Sequence, residues 1–324
     1  MRRRCLMVAT ATLPLAIPRL SRAQAAERVR VAIFNVTTTL PFHIAQERGL
    51  FARHGIEAQP IMLQAPPLIV QAMIAGEADA TSNLVTIEGA NINARRAGTA
   101  LFFSLNGQNA AHRMEQFLVR PNSSAQTLRD LRGARILTPP GPANVNAARF
   151  VLRSVGLTEG RDFTLTEQPM GVHVGALQAG TFDAAYTIEP VASIALRQGA
   201  ARLLEAGVIS THLLGRSDAL TWASGPAVTE VFLQRRPEAA QRYVAAWRDA
   251  LDLIRRDPAS VRPLFASHMN TPADLADAIP MLDFRMAQDL TPTDIQDFQR
   301  FINVAVEQGV VRERVDVSTM IRSL

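Results

Sequence analysis

Gln71-Ala72-Met73-Ile74-Ala75-Gly76-Glu77-Ala78-Asp79-Ala80 returns later in the chain as Gly175-Ala176-Leu177-Gln178-Ala179-Gly180-Thr181-Phe182-Asp183-Ala184. Each copy reads as a helix end, a glycine in the left-handed turn that stops it, and Asp-Ala opening a strand. The match extends outward. Gly49-Leu50 and Gly156-Leu157 each close an earlier helix, followed by extended runs Ile56 to Leu63 and Phe163 to Gln168. Before those lie the apolar strands Val29 to Phe34 and Ala134 to Leu137. Each half therefore reads strand, helix, strand, helix, strand. The period exceeds the roughly 20–50 residues of a solenoid. It fits an α/β fold of two homologous βαβαβ lobes, each a mainly parallel sheet flanked by helices.

Two lobes suit 324 residues, at roughly 100–200 residues per compact unit. The division expected is a leader over 1–25, the first part of lobe one over 26–118, lobe two over 119–220, and a return to lobe one with C-terminal helices over 221–324. Phe117-Leu118-Val119-Arg120, halted by Pro121-Asn122-Ser123-Ser124, reads as the first hinge strand between lobes. Thr221-Trp222-Ala223-Ser224-Gly225-Pro226 reads as the second. Proline-opened helices are expected near Pro237, Pro258, Pro272 and Pro292. Thr291-Pro292-Thr293-Asp294 resembles a capping box, with Ile295, Phe298, Ile302, Ala305 and Val306 as a core-facing stripe.

The net charge of +5 comes from the N-terminus. Arg2, Arg3, Arg4, Arg19 and Arg22 precede the first acidic residue, Glu27; without them basic and acidic residues match at 29 each. No basic footprint for nucleic acid remains. The same arginines, the short apolar run Leu6 to Ile17 and Ala23-Gln24-Ala25 form a cleavable secretory signal. The expected location is the periplasm, by the Sec or the twin-arginine route. The only cysteine, Cys5, sits inside that leader, so disulfides and cysteine catalysis are absent from the mature chain. There is no lysine, which excludes Schiff-base chemistry and phosphate-loop lysines. Six histidines are scattered without metal-ligand spacing, and no nucleophile or dinucleotide motif occurs. No catalytic residue, metal or cofactor is expected.

In open α/β sheets, ligands bind at the carboxyl ends of strands. The duplication supplies four such loops: Asn35 to Pro41, Thr81 to Thr86, Thr138 to Asn144 and Tyr186 to Pro190. The ligand-binding candidates are Asn35, Thr37, Thr38, Thr39, Leu40, Ser82, Asn83, Leu84, Gly141, Asn144, Thr187 and Glu189, with Trp222 as an aromatic wall at the hinge. Helix capping competes for Thr39 and Asn144, core packing for Trp222. Glu189 is the sharpest position, because glutamate is a poor N-cap. The loops hold no arginine, so a neutral, zwitterionic or amine-bearing ligand is expected.

Ala45-Gln46-Glu47-Arg48-Gly49-Leu50-Phe51 with Gly55-Ile56, and Ala75-Gly76-Glu77-Ala78-Asp79-Ala80, are similar to the first lobe of a known family. So are Leu128-Arg129-Asp130-Leu131-Arg132-Gly133-Ala134-Arg135-Ile136, Ala176 to Gly180, and Asp183-Ala184-Ala185 with Glu189-Pro190. Together they resemble the nitrate, sulfonate, taurine and thiamine-precursor group of ABC-transporter substrate-binding proteins, over Val29 to Val310. The resemblance implies a type II periplasmic binding fold with two crossings, monomeric, closing on a small molecule. It implies delivery to an inner-membrane permease driven by a separate ATPase. It also implies cleft roles for Thr37 to Leu40, Ser82 to Leu84 and Glu189. A ligand sensor is the alternative; a secreted enzyme on the same fold comes last, since the family's enzymatic branch uses a cysteine-rich run that this chain lacks.

Overall fold

The computed structural model describes residues 25–324; the expected leader falls on residues 1–24, outside the described residues. The strands are β1 (Glu27–Phe34), β2 (Ile56–Leu63), β3 (Ala80–Val85), β4 (Leu101–Phe102), β5 (Ser104–Gln108), β6 (Glu115–Val119), β7 (Ala134–Thr138), β8 (Phe163–Glu167), β9 (Ala184–Ile188), β10 (Arg202–Ala206), β11 (Thr221–Val228) and β12 (Asp283–Met286). One sheet runs β12-β5-β11-β3-β1-β2, with β4 beside β11; the other runs β10-β6-β9-β7-β8.

The duplication is visible in strand order. β2-β1-β3 and β8-β7-β9 are parallel triplets. Each is edged by one antiparallel strand, β11 in the first sheet and β6 in the second. Among the named strands, parallel pairing is confined to these triplets, where helices such as Pro66–Ile74 and Pro142–Ser154 make the crossovers. The flanking strands arrive from the other lobe and pair antiparallel. The last four residues of β1 are all buried, as expected where helices cover both faces of a strand.

The repeated Asp-Ala has a structural task that its position at a strand start does not reveal. Asp79 accepts from the Arg30 backbone N at 3.0 Å and from its guanidinium at 3.1 and 2.9 Å. Asp183 accepts the same set from Arg135, at 3.0, 3.0 and 3.2 Å. Each aspartate thus ties the third strand of its lobe to the first.

The chain passes between sheets at 109–114 and at 207–220. The first crossing lies upstream of the expected one, because Glu115–Val119 is already paired with Ala184–Ile188 in the second sheet. The two crossings touch. Gly207 has φ +67°, and a Cβ there would collide with the Ala110 backbone. Proline opens the helices Pro237–Arg256, Pro258–Val261 and Pro292–Glu307, whereas Pro272 leads only into a 3-10 stretch. The Thr291/Asp294 capping box forms, and Phe298, Ile302 and Ala305 join the core. The main apolar core reaches both sheets, with Tyr243 stacked on Phe51 at 5.3 Å and Trp247 edge-on to Phe103 at 5.6 Å, and a smaller cluster around Leu118, Leu137 and Leu177 packs on the second sheet. Among the described residues, no helix is long and apolar enough to cross a membrane.

Candidate functional site

A cavity of about 70 Å3 lies between the two sheets, several times the roughly 10–15 Å3 that one water needs. The first sheet contributes Phe34, Val85, Asn106, Gln108 and Ser224; the second contributes Glu115, Tyr186 and Ile188. Ala143, Asn144 and Ala147, from the helix Pro142–Ser154, and Phe301, from Pro292–Glu307, complete opposing walls. Most of the wall is apolar, with a few polar groups, which is the usual composition of a small-molecule site.

Three polar side chains decide its character. Asn106 on β5 is 3% exposed; its Nδ2 donates to Ser224 Oγ at 3.2 Å, and its Oδ1 has no partner. Tyr186 on β9 is 0% exposed, its ring 5.2 Å from Phe117, and its hydroxyl also lacks a partner. An unpaired buried polar atom costs about 1–3 kcal/mol, so native proteins rarely leave one without purpose. Glu115, half-buried at the start of β6, brings the carboxylate; its backbone N donates to Gln108 Oε1 at 3.3 Å. Burial pushes the Glu115 carboxyl up to about 7, partly offset by hydrogen bonding to Gln108. Burial, and then the charge of Glu115, raises the Tyr186 phenol well above its ordinary value. The phenol therefore stays neutral and can donate or accept. Nearby, Glu88 in the first turn of the helix Thr86–Arg95 is pushed up to about 7 by burial, with Oε2 unpartnered. Its Oε1 would lie 3.9 Å from a Cβ on Gly141 of the other lobe.

Of the residues expected at the site, Thr38, Asn83 and Asn144 border the cavity. Asn83 is fully used: it accepts from Phe34 N at 3.2 Å and donates to Phe34 O at 2.9 Å and Thr38 Oγ1 at 3.1 Å. Asn144 Nδ2 donates to Pro140 O at 2.9 Å. The others do not border the cavity. Thr37 donates to Met114 Sδ at 3.2 Å. Thr39 donates to Val36 O at 2.7 Å and Asn35 Oδ1 at 3.1 Å, while the Asn35 amide donates to His268 O. Leu40, Ser82 and Leu84 are buried in the packing of lobe one. Gly141 N donates to Glu167 Oε2 at 2.9 Å. His173 Nε2 donates to Gln168 O, so its Nδ1 accepts from Thr187, at 2.9 Å.

Glu189 departs furthest from expectation. It is 0% exposed, accepts from Gln116 Nε2 at 2.5 Å, and takes the Ser193 N–H at 3.1 Å in the first turn of the helix Val191–Arg197. Burial raises its pKa against those hydrogen bonds. Its side chain closes the start of that helix instead of facing the cavity. Trp222 is likewise core: its ring covers Gly107, and the Arg285 guanidinium lies 5.5 Å from the ring centroid. The sequence reading missed Asn106, Gln108 and Glu115. They flank the first crossing, outside the duplicated loops, and no motif marks them. Among the described residues no group of three or more His, Cys, Asp or Glu is arranged to hold a metal ion.

Known structures share this architecture. The alkanesulfonate-binding protein SsuA from Xanthomonas axonopodis pv. citri, bound to MOPS, has a TM-score of 0.72 at 22% identity, covering 93% of this chain and 100% of that one. The periplasmic nitrate-binding protein NrtA from Synechocystis PCC 6803 has a TM-score of 0.71 at 14% identity, covering 92% and 86%. The desulfurization enzyme DSZB has a TM-score of 0.68 at 18% identity, covering 92% and 96%. These likenesses establish the two-lobed periplasmic binding fold. No curated protein matches the sequence. The NMT1-like family model matches residues 22–267. The chain belongs to the NMT1-like family.

Proposed function

We propose that this protein is the extracytoplasmic solute-binding component of an ABC importer. It captures a small organic molecule between its lobes and hands it to an inner-membrane permease driven by a separate ATPase. It works as a periplasmic monomer, exported on the leader over residues 1–25. The observation that carries this reading is the interlobe cavity, lined from both sheets and bordered by Asn106 and Tyr186 with their unpartnered polar atoms. A ligand that touches both lobes favours the closed arrangement, which is how a two-lobed receptor signals occupancy. Thr38, Asn83 and Asn144 remain part of the proposed site, joined by Asn106, Glu115 and Tyr186. The proposed role is binding and not catalysis.

Native mass spectrometry tests the reading. The protein is incubated with a small-molecule extract of bacterial cells and then desalted. The wild type should retain one small molecule at unit stoichiometry. Ala147→Trp, which fills the cavity from the helix Pro142–Ser154, should retain none. Equal retention by both would place binding elsewhere.

A further inference from the structure

The chemistry of the cavity wall narrows the class of ligand, and this step rests on the function proposed above. All 34 basic residues of the chain are arginine, and none lines the cavity. Its one carboxylate is Glu115, contributed by the second sheet. Asn106 Oδ1, on the first sheet, and the Tyr186 hydroxyl, on the strand beside Glu115, have no protein partner. With Nδ2 engaged by Ser224, the free end of the Asn106 amide is an acceptor. The unspent capacity is thus an acceptor on Asn106 and a Tyr186 hydroxyl that can donate or accept, with the Glu115 carboxyl as a further acceptor when ionised, beside walls made of Phe34, Ile87, Ile188, Ile209 and Phe301.

We infer that the ligand is a small molecule with an apolar body and an N–H donor, an amine or amino-substituted ring, held between Glu115, Asn106 and Tyr186. An N–H group meets Glu115 in its ionised form and gains a charge-assisted hydrogen bond. An oxyanion would meet the Glu115 carboxylate with no arginine to offset it, or else need Glu115 protonated and rely on neutral hydroxyl donors such as Tyr186 while facing the Asn106 carbonyl. The solved relatives named for alkanesulfonate and nitrate bind ligands of that second class. On this reading the present chain keeps their fold and reverses the polarity of the cleft.

Isothermal titration with defined probes decides the point. Butylamine and 2-aminopyridine are compared with butanoate, 1-butanesulfonate and nitrate, against wild type, Glu115→Gln and Ala147→Trp. The two N–H donors should bind wild type at least tenfold more tightly than any oxyanion. Glu115→Gln should lose at least tenfold for butylamine while its melting temperature stays level or rises, since a buried acid has been neutralised. Asn106→Leu supplies a second variant, with loss expected for 2-aminopyridine. Oxyanions binding as tightly as the donors would overturn the ligand class, as would donor binding unchanged in Glu115→Gln. In both cases the cavity stands as the site if Ala147→Trp abolishes the binding seen. A wild type that binds none of the five probes overturns the inference as well. Ligand capture from the cell extract then decides separately whether the cavity binds a solute.

Discussion

Asp79 takes three hydrogen bonds from Arg30, one from its backbone and two from its guanidinium, and so fastens the start of β3 to β1. Asp183 repeats the arrangement on Arg135 in the second sheet. Each has a second arginine, Arg236 Nη2 at 2.8 Å from Asp79 and Arg120 Nη2 at 3.4 Å from Asp183, but the Asp79 pair is shorter and its side chain is 10% exposed against 28% for Asp183. Asp79→Asn should therefore cost about 1.5–3 kcal/mol, the range for hydrogen bonds to charged groups. Asp183→Asn should cost less, because solvent screens the more exposed pair. Urea denaturation of the two variants measures the order.

Stability should respond to pH in two opposed windows. Burial works against ionisation of Asp79, but Arg30 and Arg236 outweigh it and hold the carboxyl below the usual range. Arg135 does the same for Asp183, against a smaller effect of burial. Their stabilisation is present above the ordinary aspartate pKa and is lost as pH falls through the lowered one. Glu88 and Glu115 run the other way. Burial lifts each from 4.5 to about 7, so between those values the folded chain holds more protons than the unfolded one. Ligand-free stability should then fall as pH rises through that window and level off above it. Glu88→Gln and Glu115→Gln should each flatten the slope in denaturation series between pH 4.5 and 8.

Glu189→Gln separates a structural carboxylate from a ligand-binding one. Both Glu189 oxygens accept hydrogen bonds, from Gln116 and from Ser193 N, and an amide offers only one acceptor. The expected cost is about 1–3 kcal/mol of stability, with ligand affinity changed less than twofold. Calorimetry on the folded variant checks the second part; a tenfold loss of affinity would return Glu189 to the cleft.

Gly207→Ala should strain the paired crossings. The position has φ +67° and no room for a Cβ beside Ala110. A cost of about 1–3 kcal/mol is expected from the backbone conformation alone, and more from the contact. Because the strain falls between the lobes, ligand affinity should drop along with the urea midpoint.

The duplication was legible because glycine stops and Asp-Ala starts leave a residue-level trace in both halves. What the aspartates do was hidden, since their partners Arg30 and Arg135 lie 49 and 48 positions upstream. The cleft was legible only in its loops. Thr38, Asn83 and Asn144 fall at predictable strand ends, but the decisive Asn106 and Glu115 sit on strands that flank a crossing. The expected crossing at Phe117 to Arg120 hid them, because a short apolar run reads alike as hinge or sheet strand. Glu189 misled for a different reason. Capping preferences describe a side chain at the N-cap itself, whereas Glu189 reaches over Pro190 to Ser193.

If the lobes close on a solute held between them, the distance from one lobe to the other shortens. Leu68 and Val172 stand one on each lobe, shortly after β2 and β8, and are 38% and 45% exposed. Cys5 is the only cysteine, so Leu68→Cys with Val172→Cys in a chain lacking the leader takes two spin labels and no others. Pulsed electron resonance then reads the distance with and without saturating ligand. A broad distribution should narrow and shorten on binding, with no change when Ala147→Trp is added. The same distribution in both states, with binding confirmed by calorimetry, would rule out closure.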